Sequence, residues 1–288
     1  MLMKLNSYFK LLRPHQWLKN TLVFPLFFLT YKSFEIIFYP DVWLLFICFC
    51  IVSSGVYCVN DVIDIDTDKQ HPTKKFRPIA SGDLTQTNGI FLAVLLIISG
   101  LCLSLHLSTS FFVIICTYLL LNIFYNITLK KIIYLDVFAL ASFYILRIMS
   151  SASIPEINLS YWFISFSFFF FLSLAFLKRC IDFETKSYEG VISSNKLYDL
   201  FFLFSIIAFT SSLSVLISFF NSSEFISSYN KIFLVYLLVI PYVYLYLNMS
   251  TAVKLETLKG DPLTFLLTDT KSLITLFISS FIFITAVV

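Results

Sequence analysis

Charged side chains are scarce in this chain of 288 residues: 13% are Asp, Glu, Lys or Arg, while 59% are hydrophobic. A soluble domain carries about 25% charged residues, so the shortage excludes a soluble globular protein and leaves a polytopic membrane protein. The 35 Phe and 16 Tyr suit lipid-facing and interfacial positions. Long Gly/Ser linkers and segments of soluble-domain size are also missing, so residues 1–288 read as a single domain. Cysteine is sparse and without metal-type spacing. Cys48, Cys50, Cys58, Cys102, Cys116 and Cys180 lie in or beside apolar segments and read as small buried apolar residues, not disulfide partners. The segment holding Lys4, Lys10 and Arg13 lacks an apolar core followed by a cleavage site, so no removable signal peptide is expected. The net charge of +3 says little, and no nucleic-acid partner is expected.

Apolar runs long enough to cross about 30 Å of hydrocarbon fall near 20–39, 42–60, 89–107, 109–128, 133–152, 159–177, 200–220, 232–250 and 272–288. Nine transmembrane helices are therefore expected. Lys32 and Glu35 interrupt the first, and the last ends with the chain. Seventeen of the 20 Lys and Arg residues fall in the N-terminal segment and in alternate connections. The opposite side holds only Lys32 and Lys231, and Arg147 lies inside a span. The positive-inside rule then puts the charged loops and the N-terminus in the cytoplasm, at the inner (plasma) membrane.

Against this apolar background, residues 60–78 are dense in charge. Asn60, Asp64 and Asp68 are spaced by four, and Asp61 precedes Asp64 by three. On a continuing helix these four share one face, while Asp66 points elsewhere. At about 6 Å and an effective dielectric of about 20, each carboxylate pair repels by about 3 kcal/mol. Something positive must balance them, and a hard cation with oxygen ligands, Mg2+, is the natural candidate. Zinc fits less well, because His71 is the only nitrogen ligand nearby. Lys74, Lys75 and Arg77 come within ten residues, a pairing that suits a phosphorylated substrate; Pro72, Pro78 and Ser81-Gly82 mark a structured loop. Tyr125, Lys130 and Asp136 form a second constellation around the connection from the fourth span to the fifth. Asp136 at a helix N-terminus also reads as simple electrostatic capping. Lys178 and Arg179 close the sixth span, where snorkelling is the plain reading. Arg147 lies about 16 Å deeper than Asp136 at 1.5 Å rise per residue and is expected to pair with a polar group between helices. His15 and His106 have no evident partners in sequence.

The pattern Asn60-Asp61-x-x-Asp64-x-x-x-Asp68, with Tyr125-x-x-x-x-Lys130-x-x-x-x-x-Asp136 further along, resembles the two acidic motifs of the UbiA superfamily of intramembrane prenyltransferases. The resemblance implies an all-α fold of nine transmembrane helices around a central cavity open to the cytoplasm, with Mg2+ and a diphosphate at its mouth. Three features are similar to the members that transfer 5-phosphoribosyl groups to decaprenyl-type phosphates. They are Arg13-Pro14-His15-Gln16-Trp17-Leu18-Lys19-Asn20; His71-Pro72-x-Lys74-x-x-Arg77-Pro78-Ile79-Ala80-Ser81-Gly82; and Asp136-Val137 leading to Leu146-Arg147. Leu140 stands where aromatic prenyltransferases usually carry a second Asp, which weakens the case for two equivalent metal sites. Gly260-Asp261-Pro262 is also similar to that group.

By this resemblance the chain is expected to be a Mg-dependent membrane glycosyltransferase. Its substrates would be 5-phosphoribosyl diphosphate and a polyprenyl phosphate drawn from the lipid bilayer, and its product would serve cell-wall biosynthesis. Asp64, Asp68 and Asp136 are the expected catalytic residues, and Asn60, Asp61, Asp64 and Asp68 the expected metal ligands. Lys19, Lys74, Arg77, Tyr125, Lys130, Lys178 and Arg179 are expected to hold substrate. One alternative is a prenyltransferase acting on an aromatic acceptor, although the sequence carries nothing distinctive for an aromatic acid. A transporter is the other, but its binding charges would sit near the bilayer midplane rather than at one edge. Self-association into a homo-oligomer is left open.

Overall fold

The structure, a computed structural model, describes residues 2–25, 27, 39–154, 159–185, 194–228, 235–258 and 260–287. Every regular element among them is helical. Two compact units emerge, Met1–Ile132 with Leu146–Asn158, and Ile133–Ile145 with Leu159–Val288.

In the first unit, α1 (Leu2–Leu12) leads through a left-handed residue, Arg13, into a 3-10 helix at Pro14–Val23. Helix α2 (Pro40–Ile63) starts with proline in its first turn, where the missing N–H costs nothing. It is followed by α3 (Ile65–Gln70) and a 3-10 turn at Lys74–Phe76. Helices α4 (Gln86–Leu107) and α5 (Thr109–Ile127) make a hairpin joined at Ser108 alone. The Thr85 side chain accepts from Asn88 N at 3.2 Å, and Ser108 Oγ from Phe111 N at 3.0 Å, so both starts are capped. A 3-10 turn at Leu129–Lys131 closes the hairpin.

Small residues let α2 and α4 approach closely, as lipid-embedded helices require when water cannot drive them together. A Cβ on Gly55 would lie 2.8 Å from Ile97 Cγ1 and 3.3 Å from the Ala93 carbonyl oxygen, and one on Gly100 would run into Val52 Cγ2. Arg147, 3% exposed, is hydrogen-bonded within this unit. It donates to Asn20 Oδ1 at 2.8 Å and to the Tyr118 hydroxyl at 3.2 Å, with its guanidinium 5.1 Å from the Tyr118 ring centroid. The pairing expected from its depth is present.

Helix α6 (Ile133–Met149) gives its first turns to the second unit and continues into a 3-10 turn at Ser150–Ser153. The second unit continues with α7 (Tyr161–Thr185), α8 (Ser194–Phe220), α9 (Ser223–Ser228), α10 (Val239–Lys254), α11 (Pro262–Leu266) and α12 (Thr270–Val287). Aromatic contacts fill it: Phe209 stacks on Tyr246 at 3.9 Å, and the Tyr246 hydroxyl meets Ser205 Oγ at 2.9 Å.

Among the described residues, six helices are long and apolar enough to cross a membrane: Pro40–Ile63, Gln86–Leu107, Thr109–Ile127, Tyr134–Ser153, Tyr161–Phe183 and Lys196–Phe220. They coincide with the second to seventh expected spans. Helix α7 runs about two turns beyond its expected end, and the Arg179–Asp182 pair lies in that extension. The ninth expected span appears as α12, apolar but shorter over Thr270–Phe283. Most of the first expected span, the start of the eighth, and Lys32, Glu35, Lys186, Lys231 and Lys259 lie outside the described residues.

The α2–α4 contact generates a prediction. Gly55→Leu should destabilise the protein by about 1–3 kcal/mol, the usual cost of overpacking, seen as a lower thermal unfolding midpoint in detergent.

Candidate functional site

In the first unit the acidic motif straddles a local break in the helix. Asp64 sits at φ −89°, ψ 9°, between α2 and α3, yet the register survives: Asp64 N donates to Asn60 O at 2.9 Å and Asp68 N to Asp64 O at 2.8 Å. Asp61 and Asp68, two turns apart, therefore point the same way and share one arginine. Asp66 is exposed, as its spacing implies. Arg77 Nη1 lies 2.6 Å from Asp68 Oδ2 and 3.2 Å from Asp61 Oδ1. Arg13 Nη2 also pairs with Asp61 Oδ1. Lys130 Nζ lies 3.1 Å from Asp64 Oδ1.

The balancing charge expected from a cation is thus already supplied by the protein: three basic side chains answer three carboxylates. The pairs differ in strength. Asp61 and Asp68 side chains are only 1% and 3% exposed, whereas Lys130 and Asp64 are 31% and 33% exposed. A solvent-reached pair contributes about 0–1 kcal/mol, so Lys130 exchanges partners at little cost, while the arginines are held. Partial desolvation, then Arg13 and Lys19 beside it, hold the His15 imidazole below its usual range.

Asn60 is held by a neighbour that spacing did not single out. Asn126 Nδ2 donates to Asn60 Oδ1 at 2.7 Å and to the Asn122 carbonyl at 2.9 Å. Lys19, Lys74 and Tyr125 are half-buried in this unit, and the Lys74 backbone N–H donates to His71 Nδ1 at 3.3 Å, which shapes the loop carrying Arg77.

Do these side chains suit Mg2+? The donors are hard oxygens, as that ion prefers. Among the described residues no three His, Cys, Asp or Glu side chains converge to hold an ion by themselves. Mg2+ commonly takes only one or two carboxylates and completes its shell with water and substrate phosphates. One buried acceptor is open: Asp61 Oδ2 has no hydrogen-bond partner among the described residues, because both arginines take Oδ1. A lone buried carboxylate oxygen calls for a donor or a cation. The set fits an ion that arrives with a polyphosphate.

In the second unit Asp136, 3% exposed, is bound through both oxygens by Arg179: Nε to Oδ2, and Nη2 to Oδ1 at 2.6 Å. Arg179 Nη1 also pairs with Asp182. Arg179 is therefore a forked clamp on two carboxylates and not simply a snorkelling residue, and Asp136 does more than cap α6. Of the constellation of Tyr125, Lys130 and Asp136, Lys130 pairs with Asp64 in the first unit and Asp136 with Arg179 in the second. Lys178 is half-buried next to this clamp in sequence. Asp261 caps α11 by accepting from Leu263 N at 3.0 Å, and it receives the Tyr144 hydroxyl at 3.2 Å.

Residues missed from sequence are Arg13 as a partner of Asp61, and Asn126. Arg13 was legible as a cation at the end of a segment placed on the charged side; Asn126, one residue after Tyr125, gave no signal.

A multi-pass, all-helical membrane protein with buried carboxylates clamped by arginines at helix ends is a class suited to anionic substrates. The UbiA prenyltransferase family matches residues 21–268, and the chain belongs to that family of membrane transferases. It is similar to the nodulation protein NoeC of Azorhizobium caulinodans, 34% identical over 173 residues, covering 60% of this chain and 56% of the relative. It is also similar to the decaprenyl-phosphate phosphoribosyltransferase of Mycolicibacterium smegmatis, 31% identical over 185 residues, covering 63% and 58%. The chain thus spans little more than half the length of these relatives. In fold it matches a UbiA homolog from Archaeoglobus fulgidus bound to GPP and Mg2+, with a TM-score of 0.62, 17% identity and 97% of each chain covered.

Breaking a buried ion pair by removing one partner costs about 3–5 kcal/mol. Arg179→Met should therefore lower stability by about that much, and Arg179→Met with Asp136→Leu should recover much of the loss, both read from denaturant unfolding midpoints.

Proposed function

We propose that this chain transfers a 5-phosphoribosyl group from 5-phosphoribosyl diphosphate to a polyprenyl phosphate of decaprenyl type, releasing diphosphate, in the making of cell-envelope polysaccharide precursors. The observation that carries the reading is the state of the second motif. Asp136 has both oxygens engaged by Arg179, and Leu140 stands one turn further along α6. Only one acidic motif, in the first unit, remains for metal-assisted diphosphate binding. That suits a donor held largely by basic side chains more than an allylic diphosphate held between two metal-bearing motifs. The relatives named as decaprenyl-phosphate phosphoribosyltransferases support the same choice. The family match runs through both units, which supports reading 1–288 as one UbiA-like domain.

Asn60, Asp61, Asp64 and Asp68 would hold Mg2+. When bound, the ion neutralises the departing diphosphate and lowers the barrier to its release. Lys130 leaves Asp64 readily because its pair is solvent-reached, and it becomes available to a phosphate oxygen. Arg77 offers a planar fork suited to phosphate, and Lys74 adds a point charge on the same loop. Lys19 and Lys178 are the remaining candidates for the donor 5-phosphate and the acceptor phosphate, since Arg179, also expected there, is committed to Asp136 and Asp182. The acceptor is already ionised, so no residue needs to act as general base, and a single displacement inverts the anomeric carbon. The asymmetry of Lys and Arg supports a cytoplasmic active face at the inner membrane, with the N-terminus inside.

The test incubates purified protein with Mg2+ and decaprenyl phosphate, supplying labelled 5-phosphoribosyl diphosphate in one arm and labelled prenyl diphosphate with an aromatic acid in the other. Label entering the lipid fraction only from the first arm is expected; prenylation of the aromatic acid alone sinks the assignment. Asp64→Asn should fold normally, since Asp64 is only part-buried, yet lose about a hundredfold or more in turnover, the scale of one lost metal-borne interaction. A cysteine at position 73 (Thr73→Cys) should resist impermeant thiol reagents in intact cells and react in inverted vesicles; labelling of intact cells would reverse the orientation.

A further inference from the structure

Arg13 lies 48 residues from the acidic motif in sequence, but it is built into it. Its backbone sits at φ 52°, ψ 59°, the left-handed region that strains a side chain other than glycine. A turn needed only to join α1 to the 3-10 helix would suit Gly or Asn better. The strain is offset by what the side chain reaches. The guanidinium pairs with Asp61 Oδ1 and lies 5.1 Å from the Tyr57 ring centroid. One turn earlier on α2, Ser54 Oγ donates to the Leu12 carbonyl at 2.8 Å and accepts from Trp17 Nε1 at 2.9 Å. Ser54, Tyr57 and Asp61 succeed one another at spacings of three and four along one face of α2. The N-terminal turn is thereby fastened to that face on both sides of Arg13.

The two arginines divide the work on Asp61. Arg77 also serves Asp68, so it bridges two carboxylates, whereas Arg13 has Asp61 as its ion-pair partner. Both bind the same oxygen, which leaves Oδ2 buried and open.

We propose that Arg13 is a positioning residue: delivered by the left-handed turn, its guanidinium fixes Asp61 through Oδ1 and presents Oδ2 as the donor to a metal–diphosphate ligand. The N-terminal segment is then part of the ligand site through Asp61. The inference deepens the proposed function, because Asp61 is one of the oxygens assigned there to the ion.

The test uses the full chain in lipid nanodiscs, with Arg13→Gly, Arg13→Lys, Asp61→Asn and the double variant Arg13→Gly with Asp61→Asn. Glycine adopts the left-handed turn freely, so Arg13→Gly removes the guanidinium without straining the backbone. Calorimetric titration with Mn2+ plus inorganic diphosphate reads the site independently of any acceptor. Arg13→Gly should weaken binding by about tenfold or more, and Arg13→Lys by less. In the Asp61→Asn background, Arg13→Gly should cost less than about twofold, since residues acting through one another are not additive. Wild-type affinity in Arg13→Gly, equal losses in both backgrounds, or no binding by the wild type would each overturn the proposal. If the wild type binds the pair yet fails to use 5-phosphoribosyl diphosphate, the substrate reading falls while the Arg13–Asp61 coupling is still decided by the titration.

Discussion

A buried carboxylate shared by two arginines is the constraint on which the first unit depends. Asp61 lies on the apolar helix α2 with its side chain 1% exposed, where an unpaired charge would cost several kcal/mol. Its neutralisation by Arg13 and Arg77 fixes three separate pieces of chain relative to α2: the N-terminal turn, the acidic motif, and the loop after α3. Because Arg77 extends the pairing to Asp68, the break at Asp64 does not disperse the motif. Lys130, at the end of the α4–α5 hairpin, answers the remaining carboxylate, Asp64.

This balance recasts the repulsion visible in the sequence. Asp61, Asp64 and Asp68, three of the four carboxylates within eight residues, share a face and demand a counter-charge, for which a metal ion is the natural candidate from spacing. The structure meets the demand with Arg77 from the neighbouring loop and with Arg13 and Lys130 from distant segments, so each of these carboxylates is paired before any ligand arrives. Lys130, the least buried of the three, makes the pair that exchanges most readily, and Asp64 is the carboxylate it would release. The second unit obeys a parallel rule, with Arg179 gripping Asp136 on α6 and Asp182 on its own helix, α7.

How much of this was legible depends on range. The i, i+4 spacing of Asn60, Asp64 and Asp68 is local, and it correctly put Asp66 apart from the others. Hydrophobic runs are local as well, and six of the nine expected spans appear as helices of spanning length. The depth of Arg147 foretold a buried polar partner but not that Asn20 and Tyr118 would supply it. Pairings across long sequence separations, Arg13 with Asp61, Lys130 with Asp64 and Arg179 with Asp136, have no signature in spacing. They arise only when helices meet.

The central claim is that the acidic motif is internally balanced and takes up a divalent cation together with a diphosphate rather than ahead of it. Titrating wild-type protein with Mn2+, with and without saturating inorganic diphosphate, tests this directly. The account predicts that diphosphate tightens Mn2+ binding by about tenfold or more, within the usual range of coupling between two ligands. Equally tight Mn2+ binding without diphosphate would contradict it.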